Sequence, residues 1–250
     1  MDQNQTAAAE KTKLTPSFEM IETAIKVWWK NLKKFILVYV WGILFALIPL
    51  AIGLAFVGLN LLPGVKDSLT FSVATMVVFV AALAFIIYFT VRAYIGIFLV
   101  VKHDYQGHEK DIFKETKKWF WPYLGLTLLT SVFVLLWTCL LIIPGIIFSI
   151  FYSLAAYVLF FEDKRGMAAI RRSVQLIKKY WWAVFGRFLL LGLVMWVFTV
   201  LLSIPLVMTV ENSFFFHFWN VVVQVINMLI GPIALLFSYQ IYQELVKIKK

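Results

Sequence analysis

The stretch KKYWWAVFGRFLLLGLVMWVFTVLLSIPLV, residues 178–207, decides the fold class of this chain. It opens with two lysines and three aromatic residues, and beyond Arg187 it continues for 20 residues without a charge. A helix rises about 1.5 Å per residue, so this run is long enough to cross the roughly 30 Å of hydrocarbon in a bilayer. It lacks the alternation of a transmembrane β-strand and therefore predicts a membrane-spanning α-helix.

Similar apolar runs occupy most of the chain. Hydrophobic residues make up 62% of it and charged residues 14%, whereas soluble domains have about 45–50% and about 25%. Turn signals separate the runs at Leu62-Pro63-Gly64, Pro144-Gly145 and Glu211-Asn212-Ser213. The predicted spans are 35–62, 71–101, 119–143, 145–161, 181–209 and 214–243. We expect an all-α polytopic membrane helix bundle, with six transmembrane helices in three hairpins.

The basic residues predict the orientation of these spans. Residues 1–17 are polar and predict a disordered cytoplasmic tail, followed by a single six-span membrane domain at 18–250. Lysine and arginine accumulate on the cytoplasmic side of membrane proteins. They number six in the segment through Lys34, five in 102–118, six in 162–180 and three at the C-terminal end. Lys66 is alone on the other side, so both termini are predicted to be cytoplasmic.

A basic amphipathic helix precedes the quoted span. Its apolar residues recur on one helical face, while its basic pairs lie off that face. These apolar residues are Met167, Ile170, Val174, Ile177 and Trp181. Such a helix lies in the membrane interface, with its apolar face in hydrocarbon and its basic and tryptophan side chains among the headgroups. The predicted headgroup contacts are Lys164, Arg165, Arg171, Arg172, Lys178, Lys179, Trp181 and Trp182.

The order of basic helix, aromatic pair and span occurs three times, which predicts an internal repeat. A shift of 61 residues aligns the second unit with the third, and WWKNLKKF (28–35) resembles WWAVFGRF (181–188). The matched residues are Lys117-Lys118 with Lys178-Lys179, and Trp121 with Trp182. The net charge of +10 lies beside the spans. That position predicts membrane lipids, preferentially anionic, as partners rather than nucleic acid, and the sequence names no protein partner.

The sequence shows no catalytic constellation. Arg92 and Arg187 are the ionisable residues within the apolar runs, and we expect both to snorkel to the cytoplasmic headgroups. The alternative is a buried role beside a counter-charge. The segment KHDYQGHEKD (102–111) contains possible metal ligands, but their spacing matches no zinc or EF-hand motif, which favours a solvated loop. We therefore predict no enzymatic activity, no cofactor and no metal site.

The last span has a face of polar and small residues. Its members recur with helical spacing and are Asn220, Gln224, Asn227, Gly231, Ala234 and Ser238. Hydrocarbon solvates amides poorly, so this stripe is predicted to point into the bundle. Two explanations stay open, namely hydrogen bonding between helices and a path for a polar solute or a lipid headgroup.

Several motifs resemble those of a bacterial family of six-span membrane proteins. They are Pro144-Gly145, the turn Glu162-Asp163 with Gly166, and Ala169–Ser173 leading into Lys178. Some members of this family form the membrane domain attached to glycerophosphodiester phosphodiesterases, and others are stand-alone inner-membrane proteins of unknown function. The resemblance implies the fold and a bacterial inner-membrane location. It leaves activity open, because the chain has no room for the soluble phosphodiesterase barrel.

Together these patterns predict an integral inner-membrane protein without catalytic activity, in a structural or lipid-associated envelope role. The alternative is a small transporter or permease for a polar solute or a lipid headgroup. The two differ in the stripe of the last span, which water reaches in a transporter and does not reach if the stripe serves packing.

Overall fold

The computed structural model of the chain describes residues 15–59, 69–106, 108–208 and 213–249. These residues form helices joined by turns, with no strand among them. The helices are α1 (Ser17–Leu59), α2 (Leu69–Lys102), α3 (Glu109–Leu140), α4 (Ile142–Tyr152), α5 (Ala155–Glu162), α6 (Met167–Ile177), α7 (Trp181–Val207) and α8 (Phe214–Ile248). The predicted all-α fold is confirmed.

Six helical segments are long and apolar enough to cross a membrane, as predicted. They are Ser17–Leu59, Val73–Lys102, Lys110–Leu140, Ile142–Glu162, Trp181–Val207 and Phe214–Ile248. Protein buries between 6% and 33% of the most apolar window of each segment, so most of this apolar surface is uncovered. A helix that is apolar all round and uncovered by protein requires hydrocarbon around it. The chain is therefore a multi-pass membrane protein.

The break between the third and fourth spans lies earlier than predicted. α3 ends at Leu140, and Leu141 has an extended backbone (φ −158°, ψ 138°) before α4 begins. Pro144 lies in the first turn of α4, where its missing N–H costs no helical hydrogen bond. At Gly145 a Cβ would overlap the Thr138 hydroxyl and lie 2.9 Å from the Cα of Thr138. The predicted boundary at 143–145 is wrong by a few residues, because proline is compatible with a helix start.

The fourth span consists of two helices. A turn at Ser153-Leu154 separates α4 from α5. The Ser153 hydroxyl donates to the carbonyl of Ile150 at 2.8 Å, a local bond that offers the backbone an alternative to the helical ladder. α5 ends at Glu162, and the next residue, Asp163, has a left-handed backbone (φ 51°) that turns the chain toward α6.

The three basic segments join their spans in two ways. In the first two predicted repeats the basic segment continues into the span without a break, within α1 and α3. In the third repeat it forms a separate helix, α6, and a turn at 178–180 precedes α7. The turn allows α6 to pack against α4, α5 and α8 while α7 continues as a span.

The described residues form two compact units, of which the first is Lys33–Leu124. The second consists of the residues up to Leu32 and from Gly125 onward. In the first unit α1 and α2 approach closely, because a Cβ at Gly96 would lie 2.7 Å from Cγ1 of Val38. A small residue at such a crossing brings backbones together, and dispersion contacts then replace contacts with lipid. The single domain at 18–250 stays a prediction.

In the second unit, the basic segment of α1 lies along α8. The backbone N–H of Thr15 donates to the Glu244 carboxylate at 3.1 Å. Near the other end of the segment, the indole N–H of Trp28 donates to the carbonyl of Leu229 at 2.8 Å. The segment therefore runs antiparallel to α8 and has a protein partner that its amphipathic pattern does not predict.

Some predicted features lie outside the described residues. They are residues 1–14 of the predicted tail, the turn at Pro63-Gly64 with Lys66, and the turn residues Glu211 and Asn212. The last three residues of the predicted tail are described. Thr15 forms the bond to Glu244, and α1 begins at Ser17.

Candidate functional site

The six basic residues predicted to meet lipid headgroups fall into two groups. Three of them form ion pairs with carboxylates at the end of α5. The pairs are Lys164 with Glu162 at 2.8 Å, Arg165 with Asp163 at 3.4 Å, and Arg172 with Glu162 at 3.1 Å. The Tyr242 hydroxyl also donates to Glu162, at 3.3 Å. The protein itself therefore neutralises much of the charge of these three cations.

The other three basic residues, Arg171, Lys178 and Lys179, have no carboxylate partner among the described residues. All three are exposed, and the two lysines occupy the turn between α6 and α7. Burial, and after it the positive charges of Lys179 and Arg172, lower the pKa of the Lys249 ammonium. The part of this pKa shift that comes from neighbouring cations indicates a positive potential beside the turn, which attracts anions.

The centre of the α6 apolar face contacts protein rather than lipid. Ile170 and Ile177 of the predicted stripe are buried, as is Ser173, whose hydroxyl donates to the carbonyl of Phe151 at 2.6 Å. Met167 at the start of the stripe is exposed. The expectation that this face lies in hydrocarbon is therefore wrong for the centre of the helix. α4, α5 and α8 supply apolar partners that the sequence of α6 does not reveal.

A groove of about 860 Å³ lies between α4 and the first turn of α7. Its wall includes the apolar side chains of Ile143, Ile146, Phe151 and Phe185. The basic turn at 178–180 lines the same groove. The groove therefore combines an apolar surface with two ammonium groups that no described carboxylate neutralises.

Each repeat presents one outward-facing tryptophan at the start of its span. Trp29, Trp121 and Trp182 occupy equivalent positions and are 70%, 74% and 78% exposed. The residue before two of them is tethered, since the indole of Trp28 bonds to Leu229 and that of Trp181 donates to the carbonyl of Ile147 at 3.2 Å. An exposed indole suits the membrane interface, because its ring is apolar and its N–H is polar.

The expectation that Arg187 snorkels is wrong. Its side chain is 5% exposed and lies 2.7 Å from the carboxylate of Glu244. The guanidinium also donates to the carbonyl of Thr15 at 2.6 Å, while the N–H of Thr15 donates to Glu244. Arg187 and Glu244 thus bind the backbone carbonyl and the backbone N–H of Thr15. Pairing with an anion offsets the cost of burying this charge, and here the anion comes from the C-terminal end of α8.

Arg92 is likewise buried, although it has no carboxylate partner among the described residues. It donates to the Thr116 hydroxyl at 2.8 Å and to the carbonyl of Phe113 at 2.6 Å. Its guanidinium carbon lies 4.2 Å from the ring centroid of Phe113 and 5.4 Å from that of Tyr88. Aromatic faces and neutral oxygens thus surround this cation, and the expectation that it snorkels is wrong as well.

The structure distributes the stripe of the last span over two environments. The Thr199 hydroxyl of α7 donates to the amide oxygen of Asn227 at 3.0 Å, which is the interhelical bond that packing predicts. Gln224 is exposed and donates to Asn220, on its own helix, at 2.6 Å. Gly231 is also exposed, whereas Ala234 and Ser238 are half-buried and share a 2.7 Å bond within α8. The stripe as a whole therefore does not face protein.

Two described residues of the segment 102–111 contact charged side chains, since Asp111 lies 3.9 Å from the ammonium of Lys114 and His103 contacts Glu115. Nε2 of His103 lies 2.8 Å from the Glu115 carboxylate, which also accepts from the indole of Trp119 at 3.3 Å. Among the described residues, no three His, Cys, Asp or Glu side chains are grouped so that they could hold a metal ion. The pair of His103 and Glu115 ties the end of α2 to α3.

The motifs that carry the family resemblance have structural roles in this chain. Pro144 and Gly145 form the first turn of α4, Glu162 accepts three hydrogen-bonding groups, and Ser173 ties α6 to α4. Comparison with protein-family models, with curated protein sequences and with solved structures gives no match. The resemblance stays a prediction carried by these motifs.

Proposed function

We propose that this chain is a multi-pass protein of the bacterial inner membrane, without catalytic activity of its own and with a structural or lipid-associated role in the envelope. Both termini face the cytoplasm. The observation that carries the proposal is the Lys178-Lys179 turn beside the exposed Trp182, at the start of a span. Ammonium groups without a described carboxylate partner, next to an outward-facing indole, are suited to an anionic lipid surface.

The family resemblance supports the same assignment. It implies the fold and the inner-membrane location of a domain that in some members accompanies other activities and in others acts alone, and it leaves activity open. The polar clusters described above support a structural role. Glu162 and Glu244 are both engaged by arginine, which leaves neither carboxylate free to act as a general base.

Spin-labelled lipids test the lipid-associated role. The chain is reconstituted in phosphatidylcholine bilayers with traces of labelled phosphatidylglycerol or labelled phosphatidylcholine, and spin resonance gives the immobilised fraction of each. We expect a preference of about fivefold for the anionic lipid, as follows from about 1 kcal/mol for one lysine contact. Salt at about 1 M, with a Debye length of about 3 Å, should remove it. Equal immobilisation at low salt would contradict the proposal.

Reporter fusions test the orientation. An enzyme that is active only outside the cytoplasm should give signal when it is fused after Lys66 or after Asn212. It should give none after Lys110 or after Lys250, because the basic segments retain those sites in the cytoplasm. Signal at Lys250 would overturn the six-span topology.

The exposed amide of Gln224 favours the alternative, a small transporter for a polar solute or a lipid headgroup. Gln224 lies ten residues into α8, or about 15 Å along it, where an uncovered amide would face hydrocarbon unless water or protein reaches it. A cysteine at position 224, with Cys139→Ser, is exposed to a membrane-impermeant thiol reagent from each side. We expect no labelling, and labelling would favour the transporter.

A further inference from the structure

The groove between α4 and α7 brings apolar and basic groups together. Ile143, Ile146 and Phe151 line the α4 side, and Phe185 lines the α7 side. The Trp181 indole, stacked on Phe185 with ring centroids 5.1 Å apart, bonds to the carbonyl of Ile147. This bond joins the two walls and fixes the distance between the helices at this point. Its volume of about 860 Å³ lies within the roughly 300–1,000 Å³ of ligand-binding clefts.

The lysines at the groove differ from some other basic residues of this region in having no described carboxylate partner. Lys178 and Lys179 line it, and neither forms an ion pair with a described carboxylate. The nearby Arg172 and Lys164, in contrast, are paired with Glu162. At the groove itself, these two ammonium groups are therefore available to an external anion. The Tyr180 side chain does not cap α7, so the positive end of that helix adds to their charge.

We propose that this groove binds one anionic phospholipid, with an acyl chain along the Ile143–Phe151 wall and its phosphate at Lys178 and Lys179. The inference rests on the proposed lipid-associated function and narrows it to one site. An apolar wall beside two cations matches an amphiphile with an acidic headgroup. A free phosphate would leave the isoleucine wall unused, and a zwitterionic lipid would leave the lysine charge uncompensated.

Two changes to the groove and one matched control test this site. Lys178→Gln with Lys179→Gln removes the charge and keeps the wall, while Ala183→Trp fills the groove and keeps the charge. The control, Lys30→Gln with Lys33→Gln, removes the same charge from an exposed basic segment outside the groove. Native mass spectrometry of the purified full-length chain counts retained lipid during titration with phosphatidylglycerol, phosphatidylcholine or glycerol 3-phosphate.

We expect the unaltered chain to retain one phosphatidylglycerol in preference to phosphatidylcholine. The two groove variants should each bind it about tenfold more weakly, and the control should bind it like the unaltered chain. If both lysine-pair variants weaken binding equally and Ala183→Trp has no effect, the groove site is overturned while general anionic-lipid association stands. If the unaltered chain shows no preference for the anionic lipid, both proposals fail. Binding of glycerol 3-phosphate as tightly as the lipid would overturn the acyl-chain contact.

Discussion

Arg187 and Arg92 are both buried within helices that the sequence predicts to span the membrane, one in each compact unit, yet their surroundings differ. Arg187 meets a full counter-charge, the carboxylate of Glu244, at 2.7 Å. Arg92 meets the Thr116 hydroxyl, the Phe113 carbonyl and aromatic faces. A guanidinium can thus be buried with an anion or with neutral acceptors and ring quadrupoles. The difference lies in what remains when a partner is removed.

In the unit with Arg187, removal of either charge leaves the other charge buried and unpaired. In the unit with Arg92, removal of the arginine leaves a hydroxyl that already donates to the Phe113 carbonyl at 2.6 Å. Unpaired buried charges cost several times more than lost neutral hydrogen bonds. The two arginines should therefore respond very differently to substitution.

The largest effect is expected for Glu244→Ala. It leaves the Arg187 guanidinium buried without its anion, and we expect the free energy of unfolding to fall by about 3–5 kcal/mol. SDS titration in mixed micelles measures this quantity. Gln243→Ala, an exposed neighbour on the same helix, is the control and should change it by less than about 0.5 kcal/mol. A loss below about 1 kcal/mol for Glu244→Ala would show that the pair is not the main support of Arg187.

For Arg92→Met we expect the free energy of unfolding to fall by about 1–2 kcal/mol, because two hydrogen bonds disappear and no charge is left unpaired. The matched variant is Arg187→Met, which strands Glu244 and should cost at least twice as much in the same titration. Equal falls in the free energy of unfolding for the two variants would show that the two arginine environments do not differ as proposed.

Tyr242→Phe is expected to lower the free energy of unfolding less than either arginine substitution. Glu162 loses one long hydrogen bond, of 3.3 Å, but keeps Arg172 and Lys164. We expect the free energy of unfolding to fall by about 0.5–1 kcal/mol. A loss as large as that of Glu244→Ala would show that the Tyr242 hydroxyl is a main support of the Glu162 carboxylate.

The smallest effect on stability is expected for Trp182→Ala. Its indole is 78% exposed, so protein packing loses little and the free energy of unfolding should change by less than about 0.5 kcal/mol. Trp181→Ala is the matched change. It removes the bond to Ile147 and the stack on Phe185, and it should cost clearly more. A large loss from Trp182→Ala would assign that residue to the protein interior.

Local sequence patterns predicted where the helices lie, but they did not predict which segments pack against each helix. The uncharged run after Arg187 predicted a span at 181–209, and α7 ends at Val207, two residues before the predicted boundary. The Pro144-Gly145 signal placed the break between the third and fourth spans a few residues late, because proline is tolerated in the first turn of a helix. The amphipathic pattern of α6 predicted a buried face but assigned it to lipid, since periodicity reports apolarity and carries no information about what covers it.

The sequence by itself determined that this chain is an all-α membrane protein with six helices long and apolar enough to span, because hydropathy is a sum over neighbouring residues. Only the tertiary structure decided which cations pair with a described carboxylate and which do not. Arg187 finds Glu244 across 57 residues of sequence and Thr15 across 172. Such pairings depend on which helices meet, and that is settled by packing and hydrogen bonding between distant segments, which no local pattern encodes.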